Sequence, residues 1–186
     1  MNVVELHHRA VDAFGSRVAA VTEEQWDQET ELPGWDVRTL VNHLVNENKW
    51  TSPLLAGSRI EDVGDRFDGD LLGADPQAAW EESAAEAKGA VTEEAVLKTV
   101  HLSFGDAPGR EYVMQLFADH LIHAWDLARA VHGDESLDPE LVWACAQWFQ
   151  SVEDDYRKAG AIGEAPSIPP DADAQTTLLA RFGRTA

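Results

Sequence analysis

Apolar residues recur at helical spacing along most of this chain. Leu6, Ala10, Ala13, Phe14, Val18 and Val21 form one stripe and predict a first helix over residues 3–21. In "LPGWDVRTLVNHLVNENKW" a Pro-Gly turn precedes Asp36, an N-cap residue, and Val37, Leu40, Val41, Leu44 and Val45 mark the inner side of a second helix. Residues 57–75 are rich in Gly and Asp and predict a long loop. "DPQAAWEESAAEAKGAV" sets Asp75 and Pro76 in N-cap and N1 order before an Ala-rich third helix. The β-branched stretch "VLKTVHLSFGDAPGREY", broken by Gly and Pro, reads as an irregular or short extended connection. A fourth helix over about 110–132 stops before Gly133. "DPELVWACAQWFQSVEDDY" repeats the Asp-Pro start and predicts a fifth, "GEAPSIPPDAD" is a linker, and "AQTTLLARFG" is a short terminal helix. Long helices joined by short to moderate links predict an all-α protein, an antiparallel four-helix bundle with an additional helix and a short C-terminal helix. The domain reading is one unit over 1–186, with the bundle core at about 3–158 and the linker and terminal helix at 159–186.

Length and composition narrow the class. A chain of 186 residues with 44% hydrophobic content and seven tryptophans has enough material for one real core. Its net charge of −20 argues against nucleic acid or an anionic membrane as the main partner, because both require a basic surface. The single Cys145 excludes an intrachain disulfide and a multi-cysteine metal site, and its place beside Leu141 and Phe149 predicts an inert core thiol. The start, "MNVVELHHRAVDAF", reads as an amphipathic helix, and no long apolar run follows, so the expectation is a cytoplasmic protein with no membrane association.

The segment "ADHLIHAWDLARA" departs from a simple amphipathic pattern. Leu116, Phe117, Leu121, Ile122, Trp125 and Leu127 share this helix with Asp119, His120 and His123, so some polar atoms point inward and need partners. Helix positions four apart lie about 40° apart around the axis and can hold one ion together. His8/Asp12, His43/Glu47 and Asp119/His123 all have that spacing. His8/Asp12 lies off its apolar stripe and predicts a solvated face. His43 and Glu47 flank the apolar stripe of the second helix, and Asp119 and His123 are bracketed by Leu116 and Leu127. The competing structural uses are a hydrogen-bonded His43 and a buried Asp119–His123 bond that fixes the histidine tautomer. His120 lies toward the core arc, for packing or for support of a neighbour. Asp126 could cap, pair with Arg129 or orient a histidine, with pairing the expected use, and Trp35, Trp50 and Trp125 are candidate walls of a site. His7, His101 and His132 receive no role.

Two of these stretches in order, "LPGWDVRTLVNHLV" and "ADHLIHAWDLARA" some 75 residues later, resemble the DinB-like superfamily. The resemblance is to the branch related to the metal-binding domain of mycothiol-dependent maleylpyruvate isomerase. It extends over most of the chain, including the Gly-Asp-Ala-Pro-Gly turn at 105–109 and the terminal "LLARFG". It implies a DinB-like four-helix bundle with metal ligands at His43, Asp119 and His123. The family isomerase has Glu at the acidic position; the shorter Asp119 brings the ion nearer this helix or loosens its hold. That isomerase also has a separate C-terminal domain, for which the stretch after the fifth helix is too short, so maleylpyruvate isomerisation itself is not implied.

Two imidazoles and a carboxylate suit zinc, nickel or iron, and three protein ligands leave a position open for water or substrate. The favoured reading is a metal-dependent enzyme, thiol transferase or isomerase-like, using a low-molecular-weight thiol such as mycothiol as cosubstrate for transfer, conjugation or detoxification. Its partners are a small-molecule thiol and an electrophilic substrate, with monomer and homodimer both open. The alternatives are a non-catalytic bundle that binds metal or a small ligand, and a purely structural bundle. Entry of Glu47 or His120 into the metal shell stays open at this point, with Glu47 the main rival ligand.

Overall fold

The computed structural model describes residues 1–186, which form two compact units, Met1–Glu135 and Ser136–Ala186. In the first unit Asn2 opens α1 (Val3–Val18) by accepting the Glu5 N–H, and a short 3₁₀ turn at Glu23–Gln25 follows. Residues 32–35 then make a tight turn closed by the Trp35 N–H on the Leu32 carbonyl at 3.0 Å. Gly34 has φ 79°, the left-handed value that the third residue of a type II turn requires after proline. Asp36 caps α2 (Val37–Leu55) through the Thr39 N–H at 2.7 Å.

The expected loop after α2 contains one short helical turn, α3 (Ile60–Val63). It is tied down by polar residues on the outer side of α2. Asn42 and Asn46 donate to the carbonyls of Gly69 and Phe67 at 3.0 and 2.7 Å, and Arg38 holds Asp70 and the Gly73 carbonyl. Asp75 and Pro76 start α4 (Pro76–Ala90) as their order predicts. The β-branched connection forms an antiparallel hairpin, β1 (Thr99–Leu102) and β2 (Gly105–Pro108), more regular than the irregular link anticipated. It delivers the chain to α5 (Gly109–Ala130). A Cβ on Gly109 would lie 2.7 Å from the Ala95 carbonyl oxygen, so only glycine allows this close approach.

Cross-helix pairings set the direction of each helix. His8 and Asp12 of α1 meet Lys88 near the end of α4, while Val18 meets Gln77 at its start, so α1 and α4 are antiparallel. His43 meets Asp119 and Asn48 meets His120, whereas the Tyr112 hydroxyl lies toward Thr51, so α2 and α5 are antiparallel too. The predicted bundle is thus built from two antiparallel pairs running up, down, down and up in chain order, with α1 beside α5 and α2 beside α4 in parallel. Phe14, Phe117, Leu40, Leu44, Leu116, Leu121, Trp125 and Leu127 fill its centre with under 2% exposure, each worth roughly 1.5–3 kcal/mol of burial.

In the second unit Asp138 and Pro139 start α6 (Pro139–Lys158), and α7 (Ala174–Arg181) follows the proline-rich linker. Phe149 stacks on Phe182 at 3.9 Å, and Glu153 bonds both Arg157 and Arg181. Cys145 is buried and burial pushes its thiol pKa far up, in keeping with an inert core residue. No helix is long and apolar enough to cross a membrane.

Candidate metal centre

The antiparallel pair α2/α5 brings His43, Asp119 and His123 together, although the first two lie 76 positions apart in the sequence. His43 Nε2 lies 3.1 Å from Asp119 Oδ2, and His123 Nε2 lies 3.4 Å from Asp119 Oδ1. One donor atom from each residue falls within 4.8 Å of the other two. Donors around a tetrahedral ion with bonds of about 2.0–2.2 Å stand roughly 3.5 Å apart, so modest side-chain rotation closes the set. The donor chemistry and spacing fit a divalent ion. About a third of the Asp119 and His43 side chains reaches solvent, so the site has an entrance.

His123 is oriented from behind. Its Nδ1–H donates to Asp126 Oδ2 at 2.8 Å, which leaves Nε2 as the nitrogen that faces Asp119 and that could take an ion. The expectation that Asp126 pairs with Arg129 gives way here: the Arg129 guanidinium bonds Glu31 and Glu135 and covers the Trp125 ring at 4.9 Å. The tautomer is therefore fixed by Asp126 at Nδ1, while Asp119 sits on the Nε2 side. An Asp three residues after a histidine on one helix is the sequence signal that points to this pair.

Charge is concentrated in this cluster. Burial disfavours the His123 cation, but Asp119 and Asp126 outweigh it and raise its pKa to about 9. Burial likewise works against the Asp119 carboxylate, and His123 with His43 overcomes it, holding the group well below the usual carboxylate range. Glu47, one turn beyond His43, is pushed up to about 7 by burial and by the negative charge of Asp119. It lies outside the group of three whose donor atoms converge.

Of the three tryptophans named as candidate walls, Trp35 takes that position. Its ring stands 5.1 Å from His43 and stacks on His123 at 6.0 Å and 22°. It is held there by paired hydrogen bonds between Thr30 and the Trp35 carbonyl and by the Glu29–Asp36 bridge. Trp50 packs edge-on to Phe67 and Trp125 lies under Arg129, so both serve the scaffold.

The remaining histidines separate from this site. His8 faces α4 and donates to the Lys88 carbonyl at 3.0 Å, and Asp12, exposed as the solvated face requires, also binds the Lys88 ammonium across the helices at 2.6 Å. His120 is fully buried; Nδ1–H donates to Leu116 O at 2.7 Å and Nε2 meets the Asn48 side-chain amide at 3.0 Å. With both nitrogens engaged it has none to offer an ion. His7, given no role by the sequence, is fully buried 5.7 Å from His120 with neither nitrogen hydrogen-bonded. Its i+4 and i+7 neighbours Val11 and Phe14 are the signal for that burial.

Comparison with known proteins agrees with this architecture. The model of the mycothiol maleylpyruvate isomerase N-terminal domain matches residues 7–128, the span that holds all three convergent residues. The chain belongs to this family. Relatives include two uncharacterized proteins from two strains of Mycobacterium tuberculosis, each 33% identical over 187 residues, covering 100% of this chain and 99% of theirs. Among solved structures, the mycothiol-dependent maleylpyruvate isomerase shares the fold with a TM-score of 0.63 at 17% identity, over 88% of this chain and 72% of that one. A histidine-to-alanine variant of that enzyme matches with a TM-score of 0.66 at 18% identity and the same coverage. This family membership accords with the DinB-like bundle expected from the two motifs.

Proposed function

We propose that this protein binds a divalent ion, zinc, nickel or iron, through His43, Asp119 and His123 and uses it to activate a low-molecular-weight thiol such as mycothiol toward an electrophilic substrate. The observation that carries this reading is the convergence of two imidazole Nε2 atoms on one carboxylate at a solvent-reaching seam, with one imidazole locked from behind by Asp126. A structural polar network needs no solvent entrance and no carboxylate held ionised between two histidines. A divalent ion bound there supplies positive charge that lowers the pKa of a thiol at its open position. Asp126 keeps the His123 Nε2 lone pair aimed at the ion, and Asp119 supplies the negative charge of the ligand set. Trp35 closes one side and limits the direction from which a thiol enters. With Cys145 buried, the nucleophilic sulfur comes from the cosubstrate.

Family membership favours a thiol cosubstrate over a water nucleophile. The reaction class is thiol transfer, conjugation or detoxification in the cytoplasm. The test uses untagged protein reconstituted with cobalt(II). Adding mycothiol, bacillithiol or glutathione is expected to produce a near-ultraviolet sulfur-to-metal band, unchanged in Cys145→Ala. A cobalt spectrum that no thiol perturbs would remove the thiol and leave a metal-binding bundle; protein that takes up no metal would remove both.

A further inference from the structure

On the α1/α4 side of the bundle, apart from the candidate metal centre, lies a groove of about 580 Å³, a size in the range of small-molecule sites. The two helices are joined at its ends, by Asp12 on the Lys88 ammonium and by Gln77 on the Val18 and Val21 carbonyls. Between those ends short side chains such as Val11, Ala84 and Ala85 form the walls, and Trp80 lies against Gly15. A Cβ on Gly15 would stand 2.7 Å from Trp80 Nε1. A glycine that weakens a helix interior by about 1 kcal/mol relative to Ala therefore makes room for the nitrogen edge of the indole. The rest of the ring packs on Phe14 at 4.7 Å and on His120 at 5.9 Å, which leaves Trp80 only 3% exposed and holds its N–H in place.

That N–H donates to no protein group, and it is not sealed in the core. One turn earlier on α4, the Gln77 side-chain nitrogen donates to Val18 O and Val21 O at 3.4 and 3.3 Å, leaving its Oε1 as an acceptor without a donor. The groove thus presents a fixed donor and a fixed acceptor from neighbouring turns of one helix. A single amide satisfies both, its carbonyl oxygen accepting from Trp80 Nε1–H and its own N–H donating to Gln77 Oε1. A peptide strand would bring a row of amides to this one pair. The Glu81 carboxylate on the rim has no partner, and Lys88 is already held by Asp12, so the groove carries excess negative charge and disfavours an anion. We propose that the α1/α4 groove is a binding site for a small uncharged molecule that carries one amide group on an apolar body.

The test follows the tryptophan indole N–H signals of ¹⁵N-labelled, metal-free protein by NMR during titration with N-benzylacetamide. Triple-resonance assignment picks Trp80 out of the seven tryptophans. Its signal is expected to move downfield and saturate at millimolar probe, while the other six move little. Benzyl acetate keeps the shape and the carbonyl but has no N–H to give Gln77, and is expected to bind about 2–10-fold more weakly, the worth of one hydrogen bond. Trp80→Phe, which keeps an aromatic ring on Phe14, is expected to lose affinity for N-benzylacetamide by a similar factor, read from the relaxation of the probe's own signals. A Trp80 signal that stays still at tens of millimolar probe overturns the site. Equal affinity for the amide and the ester, measured on wild type and so independent of any variant's folding, overturns the ligand class. Equal affinity in folded Trp80→Phe overturns the part given to the indole N–H.

Discussion

His120 and His123 lie three positions apart on α5, yet the two rings live under opposite electrostatics. His123 lies between two carboxylates, with a tenth of its side chain or less exposed, and its pKa is raised to about 9. His120 is fully buried against Leu116, Asn48 and the His7 ring, and burial lowers its pKa to about 4. Both are deep in the bundle, so burial by itself does not separate them. The difference is the placement of Asp119 and Asp126 around one ring and of neutral partners around the other. A histidine with two carboxylates and a solvent-reaching neighbour can exchange its proton for a metal ion; one with both nitrogens tied to neutral groups specifies packing.

The largest test of that contrast removes the proposed ligands. His43→Ala, Asp119→Ala and His123→Ala are each expected to weaken zinc binding by more than about 100-fold, since even supporting residues contribute 10–100-fold. His120→Ala is expected to change zinc affinity by less than about tenfold while destabilising the metal-free fold by about 2–4 kcal/mol, through a core cavity and an abandoned Asn48 amide. Competition with a zinc chelator and urea unfolding measure the two effects. Abolished binding in Glu47→Gln with tolerance of Asp119→Asn would reverse the ligand assignment.

A smaller effect sharpens the part played by the second carboxylate. Asp126→Asn retains an oxygen that can accept the His123 Nδ1–H but removes its charge, so zinc affinity is expected to fall by about 10–100-fold with little loss of fold. Chelator competition on the variant reads this directly. An affinity equal to wild type would make the pair purely structural.

The gentlest perturbation is pH. His123 must lose its proton to bind an ion, so zinc affinity is expected to rise by up to about tenfold per pH unit until about pH 9. Stability of the metal-free protein moves with both rings. For His120 the unfolded state holds more protons between about pH 4 and 6.5, so lowering pH through that window removes stability, on the order of 3 kcal/mol. The raised pKa of His123 works oppositely: its stabilisation is full below about pH 6.5 and fades as pH rises through about 9. Urea midpoints across pH for wild type and His120→Ala separate the two, and a His120→Ala profile identical to wild type below pH 6.5 would refute the assignment of that acid limb.

Much of this architecture was legible because it is local. Apolar spacing, Asp36, the two Asp-Pro starts and the Pro-Gly turn depend on a few neighbouring residues, and each helix forms close to where these signals lie. Asp119 and His123 were readable as a pair for the same reason, since one helical turn brings them together. The β1/β2 hairpin was less legible because its strands have four residues each, too few for a clear alternation. The motif resemblance, in turn, linked His43 to the later helix before any packing was known.

The sequence by itself determined which segments become helices, which faces are apolar, and that two imidazoles and a carboxylate belong to the candidate set. Only the tertiary structure decided which groups face each of them. Helical periodicity describes a side chain relative to its own axis, whereas hydrogen-bond partners depend on the rotation and offset of the neighbouring helix. Packing α2 against α5 thus set His43 on Asp119 and sent Asn48 to His120, while the rotamers within α5 turned Asp126 to His123. It also buried His7, which its own helix leaves on the edge of the apolar stripe, because α5 supplies the surface that closes over it.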